Sequence, residues 1–476
     1  MVGRRRGRPL CRGRDHGSGR RPRHLHPYRH DLRRDHPLRA LPLGAPRRAQ
    51  PGRSRTIAVR RRAGREGAVS TTTPHASGQD DKLARQLRSI APALISVVFL
   101  EFAISSFIPL VGVQLTLRDV PTTMIGVIGS AYFIGFILGG MFAARVLDRV
   151  GHIRALSVFA IIAIDSALLM ALFSDPWIWL FLRMPSGFSM AGIWVTIETW
   201  LNHKATRPTR GRLFAIYMVV AGACSSCAPL LLRVVDPAEI TLFLIIALFY
   251  AAAIVPMAIT RESNPEIGDR ARFGLITLYG ISPLSVVACF GNGMCVTGFS
   301  SLMPVYVQKI GLTPADLAVL LFSARAGGMV GQYPIGLISD HVGRRPVILA
   351  VLLLGLAGAL FGVFFGAQSF WLLVAASMIY ATATWPLYAL CISYTGDNCR
   401  PQDLVAANGG LLLTWAIGGI IGPTAAGWTV ELLGHDGLFI FLAAVLGVLV
   451  LFTLFRMTQR TAAAPRPKTT DEPAGG

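Results

Sequence analysis

Twelve stretches of this chain run for about twenty residues or more with hardly a charge in them. A segment of that length and composition has one ready fate, because a lipid interior offers no water to satisfy backbone N–H and C=O groups and a helix satisfies them internally. The stretches lie near residues 90–116, 122–146, 154–173, 177–202, 212–233 and 240–259, and near 278–308, 315–338, 345–367, 370–394, 404–431 and 437–456. A polar segment from Arg261 to Arg272 divides six from six. Composition agrees: of 476 residues 53% are hydrophobic and only 15% charged, too apolar for a soluble domain of this size. The expected fold is an all-α membrane protein of twelve transmembrane helices in two pseudo-symmetric six-helix bundles. The bundles span 89–260 and 276–457, with a cytoplasmic linker at 261–275 and disordered tails at 1–88 and 458–476.

The formal charge of +21 suggests an acidic partner until its location is considered. Residues 1–68 hold 21 arginines against Asp15, Asp31, Asp35 and Glu66, so 21 − 4 = 17 of the net charges lie there. With no lysine before Lys82 and no apolar period, that segment cannot bury enough surface to fold alone. An Arg-rich arm for nucleic acid or lipid headgroups and an organelle transit peptide both fit the charge; only Ser18 and Ser54 and no amphipathic helix speak against the second. Arginine without lysine, among Gly, Pro and Ala, is also what GC-rich upstream DNA encodes when read from too early a start. The native start is therefore expected near Val69, and no nucleic-acid partner is expected.

Basic residues in short loops orient a membrane protein. With a cytoplasmic N-terminus, the inner loops carry Arg149, Arg154, Lys204, Arg207, Arg210, Arg212, Arg261, Arg270, Arg272, Arg344, Arg345 and Arg400, and the outer loops only Arg118, Arg233 and Lys309. Both termini are thus expected in the cytoplasm.

Between the eighth and ninth apolar stretches lies GLISDHVGRRP, Gly336 to Pro346, dense in charge where its flanks have none. Gly336 and Gly343 permit close approach and a sharp turn, Asp340 accepts hydrogen bonds, and Arg344 and Arg345 hold the loop in the cytosol. A weaker copy, ARVLDRVGHIR, occupies Ala144 to Arg154, where Asp148, Arg149 and Gly151 stand. Other stretches echo across the halves, WIWLFLRMPSGFSMAGIW against FWLLVAASMIYATATW, and a small-residue face of Gly222, Ala223, Ser225 and Ser226 against Gly418, Gly419, Gly422 and Gly427. Lipid gives helices no hydrophobic reason to associate, so small faces mark where they cross tightly or slide. An element repeated once per half is the trace of internal duplication.

These residues resemble the major facilitator superfamily over about 88–456. The family's loop after the second helix reads Gly-x-Leu-x-Asp-Arg/Lys-x-Gly-Arg-Arg/Lys; here the eighth-helix copy is the better one, while the first has Ala144 for glycine and His152 and Ile153 for the basic pair. Arg183 followed by Gly187 resembles its fourth-helix motif, and GIWVTIETWLNHKATRPTRGRLFAIYM is most similar to the YcaD-like group of bacterial permeases. The antiporter motif of the fifth helix is not intact: Gly222 and Pro229 stand without Gly-Pro. The resemblance implies two bundles rocking about a midplane site lined by helices 1, 4, 7 and 10, hence a secondary transporter of a small solute.

An ionisable group in the bilayer costs roughly 2.5 to 3.5 kcal/mol on insertion scales, so each needs a partner, a wet cavity or a function. Glu101 in the first helix, Asp165 in the third, Arg183 and Glu198 in the fourth and Arg325 in the eighth are such groups. Glu101 and Glu198 are expected to gain and lose the coupled proton, with Arg183 and Arg325 as anion ligands or counter-ions; structural ion pairing among the same residues is the alternative. Asp165, on a peripheral helix, is expected to pack inward. Asn292, Trp385, Trp194, Trp200, Tyr388 and Trp415 are placed to shape a site, and Pro185 and Pro386 to kink the fourth and tenth helices.

No enzyme constellation survives inspection. GFSMA at Gly187 falls short of a nucleophile elbow, and GNGMCVTG at Gly291 lacks the strand and the Lys-Ser/Thr of a phosphate loop. Cys224 and Cys227 sit in an apolar span without a second pair, so they are read as packing residues, and neither metal nor cofactor is expected. The expected partners are a small solute, a proton or other ion gradient and the bilayer around a monomer. A transporter-like sensor that no longer transports is the competing reading.

Overall fold

The structure, a computed structural model, describes residues 77–205, 209–260, 274–400 and 403–459, with side chains from residue 89. The described residues form twelve long helices. In the first half they are α1 (Ser77–Leu117), α2 (Thr122–Val150), α3 (His152–Leu172), α4 (Pro176–Lys204), α5 (Arg210–Cys227) and α6 (Thr241–Ala258). In the second they are α7 (Pro283–Lys309), α8 (Pro314–Val342), α9 (Arg344–Phe365), α10 (Phe370–Asn398), α11 (Leu404–Leu433) and α12 (Gly437–Gln459). Ten apolar segments are long enough to cross a membrane, one of them, Leu404–Gln459, comprising both α11 and α12. The more polar α8, with Asp316, Arg325 and Asp340, completes the twelve.

Prolines account for most departures from the expected spans. The fifth span continues past Cys227 as a 3₁₀ turn, Ala228–Leu230, and a last turn, Leu231–Val234, because Pro229 has no N–H to donate. The seventh is split: Leu275–Ile281 is a separate short helix, and Ser282, pushed out of the helical region by Pro283, stands between it and α7 at φ −143° and ψ 76°. At the other end of the first half, α1 begins at Ser77, ahead of its apolar stretch, since a strongly nucleated helix propagates into good helix formers. The arginine-rich segment 1–68, most of the linker and the C-terminal tail lie outside the described residues.

Pairing repeats with a shift of six helices. In the first half α2 packs on α4, α3 on α4 and α6, and α1 on α5 and α6; in the second α8 packs on α10, α9 on α10 and α12, and α7 on α11 and α12. The duplication seen in the two charged loops therefore extends to all twelve described helices. Gly151 and Gly343 each form a one-residue link between consecutive helices, at φ +79° and +102°. Only glycine adopts that conformation without strain, and each N–H closes the preceding helix, on Leu147 and Ser339.

Twelve alternating helices put the α2–α3 and α8–α9 links on one face, here the basic face because Arg149, Arg154, Lys204, Arg210, Arg344 and Arg400 lie there. Contact between halves concentrates toward the opposite face. There Thr122 Oγ1 donates to Gly427 C=O at 3.1 Å, Ser130 and Thr424 hydroxyls meet at 2.8 Å, and Thr123 donates from N and Oγ1 to Glu431. Gly112 lies on Pro304 there, and Gly222 meets Met329 at mid-depth. Toward the basic face Met141 and Phe142 of α2, Met218 of α5, Tyr333 of α8 and Val405 of α11 are exposed, and a Cβ on Gly140, Gly336 or Gly409 would meet nothing within 4 Å. The close approach expected at Gly336 is thus absent: a Cβ there would stand in open space.

Candidate functional site

At mid-depth one hydrogen-bonded chain joins the halves. Glu101, only 5% exposed, accepts from Ser105 one helical turn further along α1, at 3.3 Å. Ser105 accepts from Arg325 Nη1 at 3.2 Å, and the same nitrogen donates to the Ser225 carbonyl of α5 at 3.3 Å. An acid of the first half and a cation of the second are thus held through a hydroxyl, opposite charges in a place where either alone is costly. Arg325 Nε and Nη2 have no hydrogen-bond partner among the described residues.

Arg325 also lines a small cleft between α7, α8 and α10. Its other walls include Phe299, Ser300, Tyr380, Thr384 and Trp385. Phe299 and Tyr380 stack at 5.0 Å, and the Arg325 guanidinium lies 5.7 Å from the Trp385 ring centre, within cation–π range. The cavity is about 20 Å³, room for one or two water molecules.

The remaining predicted residues divide by position. Arg183 is inside the first bundle, 3% exposed, 4.5 Å from the Tyr132 ring and 5.5 Å from Phe107, with Nε and Nη1 lacking a hydrogen-bond partner. It is a caged cation beside the site, away from the cleft. Glu198 is exposed on α4 and within electrostatic reach of Tyr217 and of Tyr388 from the second half, so it faces the space between bundles. Asn292 is buried with Oδ1 unpartnered and does not line the cleft. Trp385 does line it. Phe133, Trp415 and Tyr388 form an edge-to-face series across the halves, at 5.7 and 6.4 Å. Asp165 departs from the inward packing expected of it: it is exposed, on the side of α3 turned away from α4 and α6.

The charged links differ as their sequences do. Arg344 bridges Asp340 at 2.8 Å and Asp397 at the end of α10 at 3.3 Å, and Arg345 donates to Tyr394 Oη at 2.7 Å. These bonds tie the link to its own bundle. In the first copy Asp148 and Arg149 are exposed, and His152, where the second copy has Arg344, is buried. Sequence reasoning missed Ser105, Tyr380, Thr384, Tyr394 and Asp397. For Ser105 a signal existed, a hydroxyl four residues after a buried acid and so on the same helix face.

Comparison with known proteins follows the same outline. A family model described as Major Facilitator Superfamily matches residues 90–331 and 311–475. The uncharacterized MFS-type transporter YcaD of Escherichia fergusonii is 25% identical over 377 residues, 79% of this chain and 97% of that protein. YcaD of Salmonella heidelberg is 26% identical over 369 residues, covering 77% and 95%. Among solved structures, the nucleoside transporter NupG superposes with a TM-score of 0.62 at 14% identity, covering 78% of this chain and 99% of that one. A bacterial homolog of the human lysosomal transporter Spinster, in an inward-facing and occupied conformation, gives 0.63 at 16% identity, covering 79% and 99%. Two bundles related by a six-helix shift, a charged glycine link in each and a family match across both together identify a multi-pass membrane protein that belongs to the major facilitator superfamily.

Proposed function

We propose that this protein is a proton-coupled secondary transporter that moves a small solute across a bacterial cytoplasmic membrane by alternating access. Both termini are cytoplasmic, on the rule that short inner loops carry the positive charge. The contacts between halves at Thr122–Gly427, Thr123–Glu431 and Ser130–Thr424, all on the side away from the basic face, support a state open to the cytoplasm.

The observation that carries the reading is the Glu101–Ser105–Arg325 chain. A rocking transporter needs a bond between halves whose strength depends on the coupled ion. Hydrogen bonds from a charged guanidinium contribute about 1.5–3 kcal/mol each. An ionised Glu101 holds Arg325 against the first half; a protonated one removes the charge that draws it there. An ion shifts the balance of two states only by its differential affinity for them, and this acid is held differently in each. Glu198, facing the vestibule, is the second proton-accepting candidate. At the Gly343 link Asp340, Arg344 and Arg345 bind the second bundle together while it tilts; the Gly151 link, with Asp148 and Arg149 exposed, is the looser of the two.

The test needs no solute. Spin-label distances between halves, measured in nanodiscs from pH 5 to pH 8, should redistribute with pH in the native protein and lose that dependence in Glu101→Gln. A pH response that survives the substitution unchanged removes Glu101 from the coupling.

A further inference from the structure

We propose that the cleft beside Arg325 takes an organic anion, a carboxylate on a flat aromatic body, and that it moves together with one proton. This rests on the transport reading and names the substrate class of the same site.

Three features converge. First, Arg325 engages one nitrogen with Ser105 and Ser225 and leaves Nε and Nη2 without a protein partner while lining the cleft. That free edge is the fork that fits the two oxygens of a carboxylate, and a lysine would not reproduce it. Second, the lining has one cation and no acid. The counter-charge, Glu101, is reached only through Ser105, so a ligand in the cleft meets a net positive site. Third, the remaining walls are flat or apolar, Phe299 stacked on Tyr380 and Trp385 38% exposed; the cleft as it stands admits only water, so seating a ring requires Trp385 to turn outward. Aromatic faces and a guanidinium together suit a planar anion better than a sugar or a cation.

The proton follows from charge balance. An anion on the free edge sets two negative charges about one guanidinium, and the bilayer interior penalises the excess. Glu101 taking up a proton removes it, and Arg325 passes from the acid to the ligand. The other titratable groups within reach of Glu101 are Tyr132 of α2, Tyr217 and Cys224 of α5 and Tyr250 of α6, none of them a carboxylate.

The full chain in nanodiscs can be titrated with benzoate, indole-3-acetate and acetate, with benzamide, indole-3-acetamide and tryptamine as comparisons, by calorimetry in buffers of different ionisation enthalpy. The acids should bind at least tenfold more tightly than their amides, with about one proton taken up per anion. Arg325→Gln should erase the preference and Glu101→Gln the proton uptake. Should Arg325→Gln fail to fold, Trp385→Leu serves: it should keep the preference for acid over amide and lose that for indole-3-acetate over acetate. Amides or tryptamine binding as well as the acids, or a preference that outlasts Arg325→Gln, would overturn the inference. If the spin-label distances still respond to pH in that event, the transport reading stands without it; if the acids bind and the distances never respond, the anion site stands and its coupled movement falls with the transport reading.

Discussion

Replacing Gly126 by alanine should weaken the closed opposite face without weakening either bundle. A Cβ there would lie 2.8 Å from the Pro423 carbonyl carbon, 3.0 Å from Thr424 Cα and closer still to the Pro423 oxygen. Ordinary contact begins near 3.4 Å, so α11 must retreat by more than about 0.6 Å. That stretches the bond from Thr122 to Gly427, now 3.1 Å, to about 3.7 Å or more, beyond hydrogen-bond range, and strains the Ser130–Thr424 pair. One lost hydrogen bond is about 1 kcal/mol and overpacking adds about 1–3, so at least about 2 kcal/mol tells against this state. At 1.4 kcal/mol per decade, the population shift is at least about 30-fold. Ser130→Cys, buried at that contact, reports the change: a soluble maleimide should label it at least about 30-fold faster in the Gly126→Ala background. As a comparison, a Cβ on Gly135 would lie 2.9 Å from Met184 Cα inside the first bundle, so Gly135→Ala should lower the melting temperature and leave labelling unchanged. Equal labelling rates with and without Gly126→Ala, in proteins that melt alike, would show that this contact does not govern the balance.

Two further substitutions check the energetics of the frame. Asp165→Leu removes an acid exposed on the flank of α3 and should stabilise the protein in bilayers by roughly 1–3 kcal/mol, read from the denaturant midpoint; a loss of stability would mean that the acid has a partner in the membrane. Asp397→Asn breaks a pair in which the carboxylate is 59% exposed, so thermal unfolding should register no more than about 1 kcal/mol, and a larger effect would show the link to be a structural keystone.

The helices and their division into halves were legible because lipid imposes length and apolarity on every span, and twelve such runs leave little choice. Gly151 and Gly343 were legible too, since a one-residue link between helices demands a left-handed backbone that few residues tolerate. The partnership of Glu101 with Arg325 was harder to read. Their separation in sequence is large, and what joins them, Ser105 and the Ser225 carbonyl, carries no charge and no motif. Asp165 misled for a related reason: the cost of an acid in lipid argues for burial, but whether α3 turns that face inward depends on its packing against α4 and α6. Gly336 shows a third limit, because glycine permits a close approach without requiring one, and a Cβ there would meet nothing within 4 Å.

The central claim, two half-molecules that tilt against each other about a mid-depth bond, is tested most directly by paired distances. Spin labels at Arg149 and His341 report the basic face, and labels at Asp119 and Gln308 the opposite face, all four sites being exposed. Across pH, and again on introducing Gly126→Ala, the two distances should change in opposite directions, one shortening as the other lengthens. Two distances that stay fixed under every condition, or that widen together, would contradict it.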